Sequence, residues 1–407
     1  MNTGDTAWVL IATALVMLMT PGLAFFYGGL VRRKNVLSTM MHSLFILALV
    51  SVTWVLWGYT LAFGPDTGLG LIGGLQWAGL EGVTGRPSVV YAPTVPHLAF
   101  MAFRMISAVI TPTLITSASA ERKRFKAFVL FSVGWSTLVY APIAHWVWSP
   151  QGWLANLGVL DFAGGTVVHL SSGVAALVAA LMIGRRIGLH APATEPHDVT
   201  MTVLGAGLLW FGWFGFNAGS ALSANGVAAL ALVTTNTAAA MAALTWVTLS
   251  WLHRGTPSVL GAAVGAVAGL VAITPAAGYV SPAAAILIGF GAAGICYAAC
   301  QLRLRTRVDD ALDVFSVHGV GGAFGALVTG LFASVAINSA GRDGLIAGDP
   351  SQLLRQAAAV AAVGLYSALA TAVILVVVNR IVRVRVASEA EETGLDLAQH
   401  GEIAYQL

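Results

Sequence analysis

Long apolar segments, separated by short polar connections, follow one another along almost the whole chain. A helix that crosses the hydrocarbon core of a bilayer needs about 20 predominantly apolar residues. The pattern therefore predicts an all-α polytopic membrane protein with eleven membrane-spanning helices, near residues 7–31, 40–63, 97–119, 125–148, 163–184, 199–216, 226–252, 257–274, 281–301, 312–334 and 355–382.

The composition agrees with this prediction and excludes other classes of protein. Of the 407 residues, 57% are hydrophobic and 9% are charged, whereas soluble domains carry about 25% charged residues. The net charge of +3 is too small to indicate a nucleic-acid partner. The sequence contains no H-E-x-x-H, G-x-S-x-G or P-loop pattern, so it predicts no enzyme activity, no metal and no cofactor.

Basic residues are concentrated in alternate connections between the predicted helices. With the N-terminus outside, the odd-numbered connections and the segment after the last helix are cytoplasmic, and these hold Arg32, Arg33, Lys34, Arg122, Lys123, Arg124, Arg185, Arg186, Arg254, Arg303, Arg305, Arg307, Arg380, Arg383 and Arg385. The even-numbered connections hold Arg86, Arg342 and Arg355. Because cytoplasmic connections carry an excess of Lys and Arg, we predict an outside N-terminus and a cytoplasmic C-terminus.

The fifth and tenth predicted helices resemble each other. The fifth begins DFAGGTVVHL and the tenth begins DVFSVHGVGG, each with an acidic residue, a histidine and small residues. When each of two similar halves crosses the membrane an odd number of times, the halves are related by inversion in the membrane plane. Binding sites lie near the midplane between such repeats. We therefore predict two inverted five-helix repeats plus one extra helix, with His169 and His318 at similar depth.

Ionisable side chains inside a membrane helix are costly and are functional hypotheses by default. A single histidine there is often only a hydrogen-bond partner between helices. The matched positions of His169 and His318 favour a shared pore instead. A neutral imidazole offers one hydrogen-bond donor and one acceptor, which suits a polar neutral solute or a shared proton.

Residues near the outer ends of the helices have two interpretations each. Asp161 directly precedes the fifth helix, where it either caps the helix or attracts a cation. Phe216, Trp148 and Phe103 lie near the outer ends of their helices. Aromatic residues there either form an interfacial belt or hold a small cation against their ring faces.

Several long motifs in the chain resemble those of one family. They are TPGLAFFYGGLVRRKN, ASAERKRF, YAPIAHWVW, DFAGGTVVHL, GWFGFNAGSAL, DDALDVFSVHGVGG and EETGLDLAQHGEIAYQL. Together they resemble the ammonium transporter family, in the Amt branch of the Amt/Mep/Rh superfamily, from the first helix to the last residue. The resemblance implies eleven helices per subunit and a homotrimer with one pore per subunit. It also implies nitrogen uptake through the cell (plasma or inner) membrane.

The resemblance assigns roles to particular residues. Those that match an outer site for recruiting ammonium are Trp148, Ser220 and Phe103. Phe216 matches one ring of a phenylalanine gate. His169 and His318 match twin histidines that hydrogen-bond to each other along the pore. Asp161 matches an acidic residue with a structural and electrostatic role, and Asn217 also falls on a family motif.

The C-terminal end of the chain differs in composition from the rest. Residues 1–387 are predicted to form the transmembrane domain, and the polar, acidic residues 388–407 a cytoplasmic tail that is either disordered or regulatory. Gly394 and Asp396 match a segment that, by resemblance, packs across subunits. In relatives, that face is where a P-II signalling protein docks, so we expect such a partner here.

The chain departs from the family pattern at one position. Counting back from the AER motif at 120–122, the second gate phenylalanine should be residue 107, but the chain has Ser107. Arg104, an added cation, lies nearby. Because Arg104 projects about a quarter turn away from Phe103 on a helix, we predict that it faces the subunit interface.

These observations predict a mechanism and leave alternatives. We expect ammonium to bind at the outer site, to lose its proton and to cross as ammonia, because desolvating an ion in an apolar pore costs many kcal/mol. Whether the proton follows, which would make transport electrogenic, is left open. The alternatives are an ammonium sensor or a transport-impaired paralogue, motivated by Ser107 and Arg104, and a pore for another small neutral solute.

Overall fold

The computed structural model describes residues 1–188 and 196–405. Within these ranges, ten helices are long and apolar enough to cross a membrane, and an eleventh apolar helix is shorter. In chain order we number them α1 (Thr3–Leu30), α2 (36–63), α3 (His97–Ala118), α4 (125–148), α5 (Gly165–Ile183), α6 (Val199–Gly219), α7 (Gly226–Arg254), α8 (Val259–Ile273), α9 (Pro282–Leu304), α10 (Phe315–Phe332) and α11 (Pro350–Ile381). The prediction of a helical polytopic membrane fold is therefore confirmed.

The short helix, α8, lies inside the bundle. It has 15 residues, fewer than its apolar stretch predicts, and gives way to buried turns after Ile273. Ala268 and Leu270 to Ile273 are completely buried. Because α8 is surrounded by other helices, its apolar length reflects the protein core as well as the bilayer.

Close contacts between helices depend on small residues, as is usual in membranes. A side chain at Gly205 or Gly215 of α6 would collide with the backbone of α1. Gly265 and Gly269 of α8 pack against α7 in the same manner. These glycines allow the helix backbones to approach each other closely.

The long connection between α2 and α3 is ordered and includes a small hairpin. Strand β1 (Pro87–Ser88) pairs antiparallel with β2 (Ala92–Pro96). The carboxylate of Asp66 contacts the ring Nε2 of His145, at the end of α4, at 3.0 Å. This contact fixes the connection over one end of the bundle.

A paired-histidine pore as the candidate functional site

The two predicted pore histidines meet in the interior of the bundle. Nδ1 of His169 is 3.2 Å from Nδ1 of His318, and both side chains are buried. One Nδ1–H must donate to the other ring's unprotonated Nδ1. The Nε2 of the donor ring is then an acceptor, and the Nε2–H of the other ring is a donor. Among the described residues, Nε2 of His169 has no hydrogen-bond partner.

The helices that carry the histidines begin in the same unusual way. A π-helical segment, Gly165–Leu170, opens α5, and another, Phe315–Gly319, opens α10. Each histidine is the penultimate residue of its segment. Such π-helical turns are rare and occur frequently at functional sites. Their recurrence supports the repeat that the sequence predicts.

Glycines at the crossing of α5 and α10 bring the histidines together. A side chain on Gly173 would collide with the backbone of Gly319. A side chain on Gly322 would collide with Gly165 and with Cβ of His169. The distance between the imidazoles therefore depends on the absence of side chains at this crossing.

A narrow apolar cavity contains the two histidines. Its volume is about 10 Å³, close to that of a single water position. The lining residues are Met19, Leu23, Phe26, Ile110, Leu114, His169, Leu209, Trp213, Phe216, Val267 and His318. Among these described residues, the two histidines are the sole titratable ones.

The narrow cavity leads to a wider vestibule. The vestibule has a volume of about 180 Å³ and shares Phe26, Val267 and His318 with the narrow cavity. Asp313 lies in its wall and forms an ion pair with Arg303. Because this end of the bundle also carries most of the basic residues, it is the predicted cytoplasmic end.

Phe216 closes the other end of the narrow cavity. Its ring centre is 6.2 Å from that of His169 and 5.9 Å from that of Trp213. Trp213 in turn stacks on His169 at 5.2 Å and donates to the hydroxyl of Thr274. The predicted gate ring therefore lies directly beside the histidine pair.

The residues predicted to form the outer site converge beyond Phe216. The indole of Trp148 donates to the backbone carbonyl of Asp161 at 3.0 Å. The ring of Phe103 lies against Gly219, the neighbour of Ser220. The hydroxyl of Ser220 donates to the carbonyl of Phe216. The ends of α3, α4 and α6 and the start of α5 thus meet in one place.

Asp161 caps the start of α5. Its Oδ1 accepts the N–H groups of Gly164 and Gly165 at 2.8 and 2.7 Å. Its Oδ2 accepts the N–H and hydroxyl of Thr166 and the N–H of Val167. Of the two roles left open for Asp161, these hydrogen bonds show the capping role. The first N–H groups of a helix otherwise lack partners.

Asn217 connects two helices. Its Nδ2 donates to the hydroxyl of Thr235 on α7 at 2.9 Å, and both side chains are buried. Its Oδ1 has no partner among the described residues. The contact shows a structural role for Asn217 beside the outer site.

Ser107 lies on the pore side of α3. It follows Phe103 by four residues, and Ile110 and Leu114 continue the same helical face into the narrow cavity. Ser107 is 1% exposed, and its hydroxyl donates to the carbonyl of Phe103 at 3.3 Å. The resemblance-based prediction that Ser107 replaces a second gate ring therefore stays a prediction.

The prediction that Arg104 faces the subunit interface is wrong. Its guanidinium carbon lies 4.2 Å from the ring centre of Trp148, and the residue is 6% exposed. A long side chain can turn back from its helical position, and the ring faces attract its charge. Arg104 therefore lies among the residues that are predicted to form the outer site.

The C-terminal tail is folded against its own subunit through residue 405, and residues 406–407 lie outside the described part. Asp396 accepts the N–H groups of Leu37 and Ser38 at 3.0 and 2.7 Å, which caps α2. Gly394 adopts a φ of 107° against Lys34. Leu395 donates to Asn35 at 2.8 Å. The disordered alternative does not describe this tail.

An ionic cluster near the tail was missed by sequence reasoning. Glu121 pairs with Arg32 and Arg186 at 2.8 and 3.0 Å, and Asp309 pairs with Arg186 and Arg122 at 2.9 and 3.7 Å. Burial alone raises the pKa of Glu121, but Arg186 and Arg32 hold it below the usual value. The AER motif at 120–122 carried the signal, but the partners lie far away in the chain.

The fold and the site define a class of protein. A bundle of apolar helices surrounds a cavity the width of one small molecule, with titratable groups at its centre and a vestibule at one end. Such an arrangement is typical of a membrane channel or transporter for a small solute.

Comparison with known proteins identifies the family. The sequence pattern of the Ammonium Transporter Family matches residues 7–405. The chain is 52% identical to an ammonium transporter of Bacillus subtilis, over 100% of this chain and 99% of that protein. The crystal structure of Saccharomyces cerevisiae Mep2 matches with a TM-score of 0.92 and 37% identity, covering 100% of this chain and 92% of that chain. A structure described as a sensor Amt protein matches with a TM-score of 0.89 and 30% identity, over 97% and 98% of the two chains. The chain belongs to the ammonium transporter family, and its curated relatives are transporters.

Proposed function

We propose that this protein carries ammonium across the membrane by separating its proton from neutral ammonia. The observation that carries the proposal is the hydrogen-bonded pair of His169 and His318 in a cavity about 10 Å³ in volume. The pair offers polar contacts without a permanent charge. A neutral molecule of ammonia's size gains hydrogen bonds there, whereas a bare cation does not regain its lost hydration.

The outer site receives the ion. Trp148 and Phe103 supply ring faces, and Ser220 supplies a hydroxyl oxygen. A small cation gains about 0.5–2 kcal/mol from a ring face, depending on its desolvation. Asp161 contributes its negative charge from the start of α5, although its oxygens are engaged in capping. At the next step ammonium releases its proton to water at the outer end of the pathway, and potassium is excluded because it has no proton to release.

Phe216 and the histidines act on the released ammonia. The ring of Phe216 blocks the passage of hydrated ions until it moves aside. One imidazole Nε2 of the pair then accepts a hydrogen bond from ammonia, and the other donates to it. The vestibule beside Asp313 is wide enough for water, so ammonia regains a proton there.

Transport is tested by reconstitution into liposomes on a solid-supported membrane. A pulse of ammonium should give a current if the proton follows, and a pulse of potassium should give none. A stopped-flow measurement of internal pH detects electroneutral ammonia flux when no current appears. Silence in both assays, from protein that remains folded, would contradict the transport proposal. Flux of other small neutral solutes at the same rate would favour a nonselective pore.

An ammonium sensor, or a transport-impaired paralogue, is the second candidate function. Arg104 against Trp148 and the missing ring at Ser107 favour it, because both weaken an outer cation site. The sensor Amt relative supports the plausibility of sensing on this fold. A sensor should bind ammonium and change the mobility of its tail without flux. Limited proteolysis of the tail with and without ammonium separates this candidate from a transporter.

The proposed assembly follows from the family. We expect a homotrimer in the cell membrane, with the N-terminus outside and the tail in the cytoplasm. The docked tail around Gly394 and Asp396 offers a cytoplasmic surface to a P-II signalling protein. Light scattering gives the subunit number, and a cysteine-labelling experiment at each terminus tests the orientation.

A further inference from the structure

An arginine side chain lies among the aromatic rings at the outer end of the pore. The guanidinium carbon of Arg104 is 4.2 Å from the ring centre of Trp148 and 5.5 Å from that of Phe100. The rings of Phe63 and Phe103 are each 5.8 Å away. All four distances fall within the range in which a ring face attracts a cation. The outer rings therefore already hold one positive charge.

No described carboxylate forms an ion pair with Arg104, although the charge of Asp161 acts on it from a longer distance. The described ion pairs do not include Arg104, and its buried Nε and Nη1 have no hydrogen-bond partner. The carboxylate of Asp161 accepts hydrogen bonds from the backbone at the start of α5 and none from Arg104. A buried cation that is not held in an ion pair repels a second cation more strongly than an exposed one does.

We propose that Arg104 is a tethered competitor that occupies the outer aromatic site, so that ammonium must displace its guanidinium from the ring of Trp148. This inference rests on the proposed function, and it assigns to Arg104 the apparent affinity of the transporter for ammonium. Competition raises the ammonium concentration needed for half-maximal transport. The maximal rate changes little, because the guanidinium lies outside the narrow cavity.

The charge of residue 104 is tested by comparing matched variants in liposomes. We would measure the ammonium current against concentration for the unaltered protein and for Arg104→Gln, Arg104→Lys and Arg86→Gln. Arg104→Gln should lower the half-saturating concentration at least tenfold and keep the maximal current. Arg104→Lys keeps the charge, and Arg86→Gln removes an equal charge from an exposed position in the outer connection. Arg86→Gln should remain near the unaltered protein, and Arg104→Lys should shift the half-saturating concentration much less than Arg104→Gln does.

The outcomes separate this inference from the proposed function. A current in the unaltered protein with an unchanged half-saturating concentration in Arg104→Gln would overturn the inference alone. An equal decrease in Arg104→Lys would also overturn it, since the charge would not be responsible. Absence of ammonium flux from every folded variant would overturn both proposals. A silent unaltered protein with a conducting Arg104→Gln would support the inference in its strongest form. Arg104→Met, which keeps a long stem against the rings, replaces Arg104→Gln if that variant does not fold.

Discussion

Replacing Gly173 by alanine should uncouple the two pore histidines without altering either one. The added methyl group would collide with the backbone of Gly319, where α5 crosses α10. The methyl carbon would lie 2.1 Å from the backbone nitrogen of Gly319, so a contact of about 3.5 Å requires the helices to separate by more than about 1 Å. The hydrogen bond between the histidines, now 3.2 Å long, would then exceed the limit of about 3.6 Å at which such a bond is lost.

Two quantities should change in this variant. Overpacking of this kind costs about 1–3 kcal/mol of folding free energy. Misplacement of functional groups by about 1 Å reduces rates in enzymes by up to about 100-fold, and we expect the ammonium flux to fall at least about tenfold. Flux is measured by stopped-flow and solid-supported-membrane assays on protein that elutes as a single species.

The matched control is Gly294→Ala in α9, since a methyl group there meets no neighbouring atom within 4 Å. The control should keep both its thermal stability and its flux. Normal flux in Gly173→Ala, despite a measurable loss of stability, would refute the argument that the spacing of the histidines limits transport.

Three further predictions concern the cap, the ionic cluster and a buried lysine. Asp161→Ala should lower the free energy of unfolding by about 2 kcal/mol or more, because five donors at the start of α5 lose their acceptor. Asp161→Asn keeps one acceptor and should lose less stability in thermal denaturation. Equal losses in the two variants would refute the capping role. Glu121→Gln should cost about 3 kcal/mol at pH 7, because it leaves Arg32 without its counterion and leaves Arg186 with Asp309 alone. The pKa of Glu121 is lowered in the folded state, so its contribution is present above the unfolded value of about 4.3 and is lost as the pH falls further. The two proteins should therefore converge in acid, and a constant difference would contradict this. Burial, assisted by Arg122, lowers the pKa of Lys123 to about 7. Between about pH 7 and 10 the folded state therefore binds fewer protons than the unfolded state, and the free energy of unfolding should rise with pH in that window. Lys123→Met should abolish this rise when melting is measured against pH, and an unchanged slope would refute the argument.

The sequence was sufficient for the features that depend on local pattern. Hydropathy located the helices, because each span is a continuous apolar segment. The spacing of His169 and His318 within two similar segments indicated their pairing, because repeats place equivalent residues at equivalent depth. The structure places them within hydrogen-bond distance.

Features that depend on long side chains and distant contacts were not predictable in the same way. The position of Arg104 was predicted from the helical angle of its Cα, but the side chain turns back to the indole of Trp148. The partners of Arg186, namely Glu121 and Asp309, are 65 and 123 residues away. The order of the tail depends on the cap that Asp396 gives to α2, 358 residues away at Ser38. A local sequence pattern does not indicate contacts between residues that are so far apart in the chain.

The distribution of charge along the pathway indicates where selectivity must be exerted. Among the described residues that line the narrow cavity, the histidines are the sole titratable groups, so in the proposed mechanism that segment distinguishes neutral molecules from ions through desolvation. It cannot distinguish one cation from another before the proton is lost. In the proposed mechanism that distinction falls to the outer site, where the guanidinium of Arg104 lies against Trp148. A change at residue 104 should therefore alter apparent affinity, whereas a change at the crossing of α5 and α10 should alter the rate. The two effects should be additive in a double variant, because the rings around Arg104 do not include Gly319 and His318, which a side chain at Gly173 would meet.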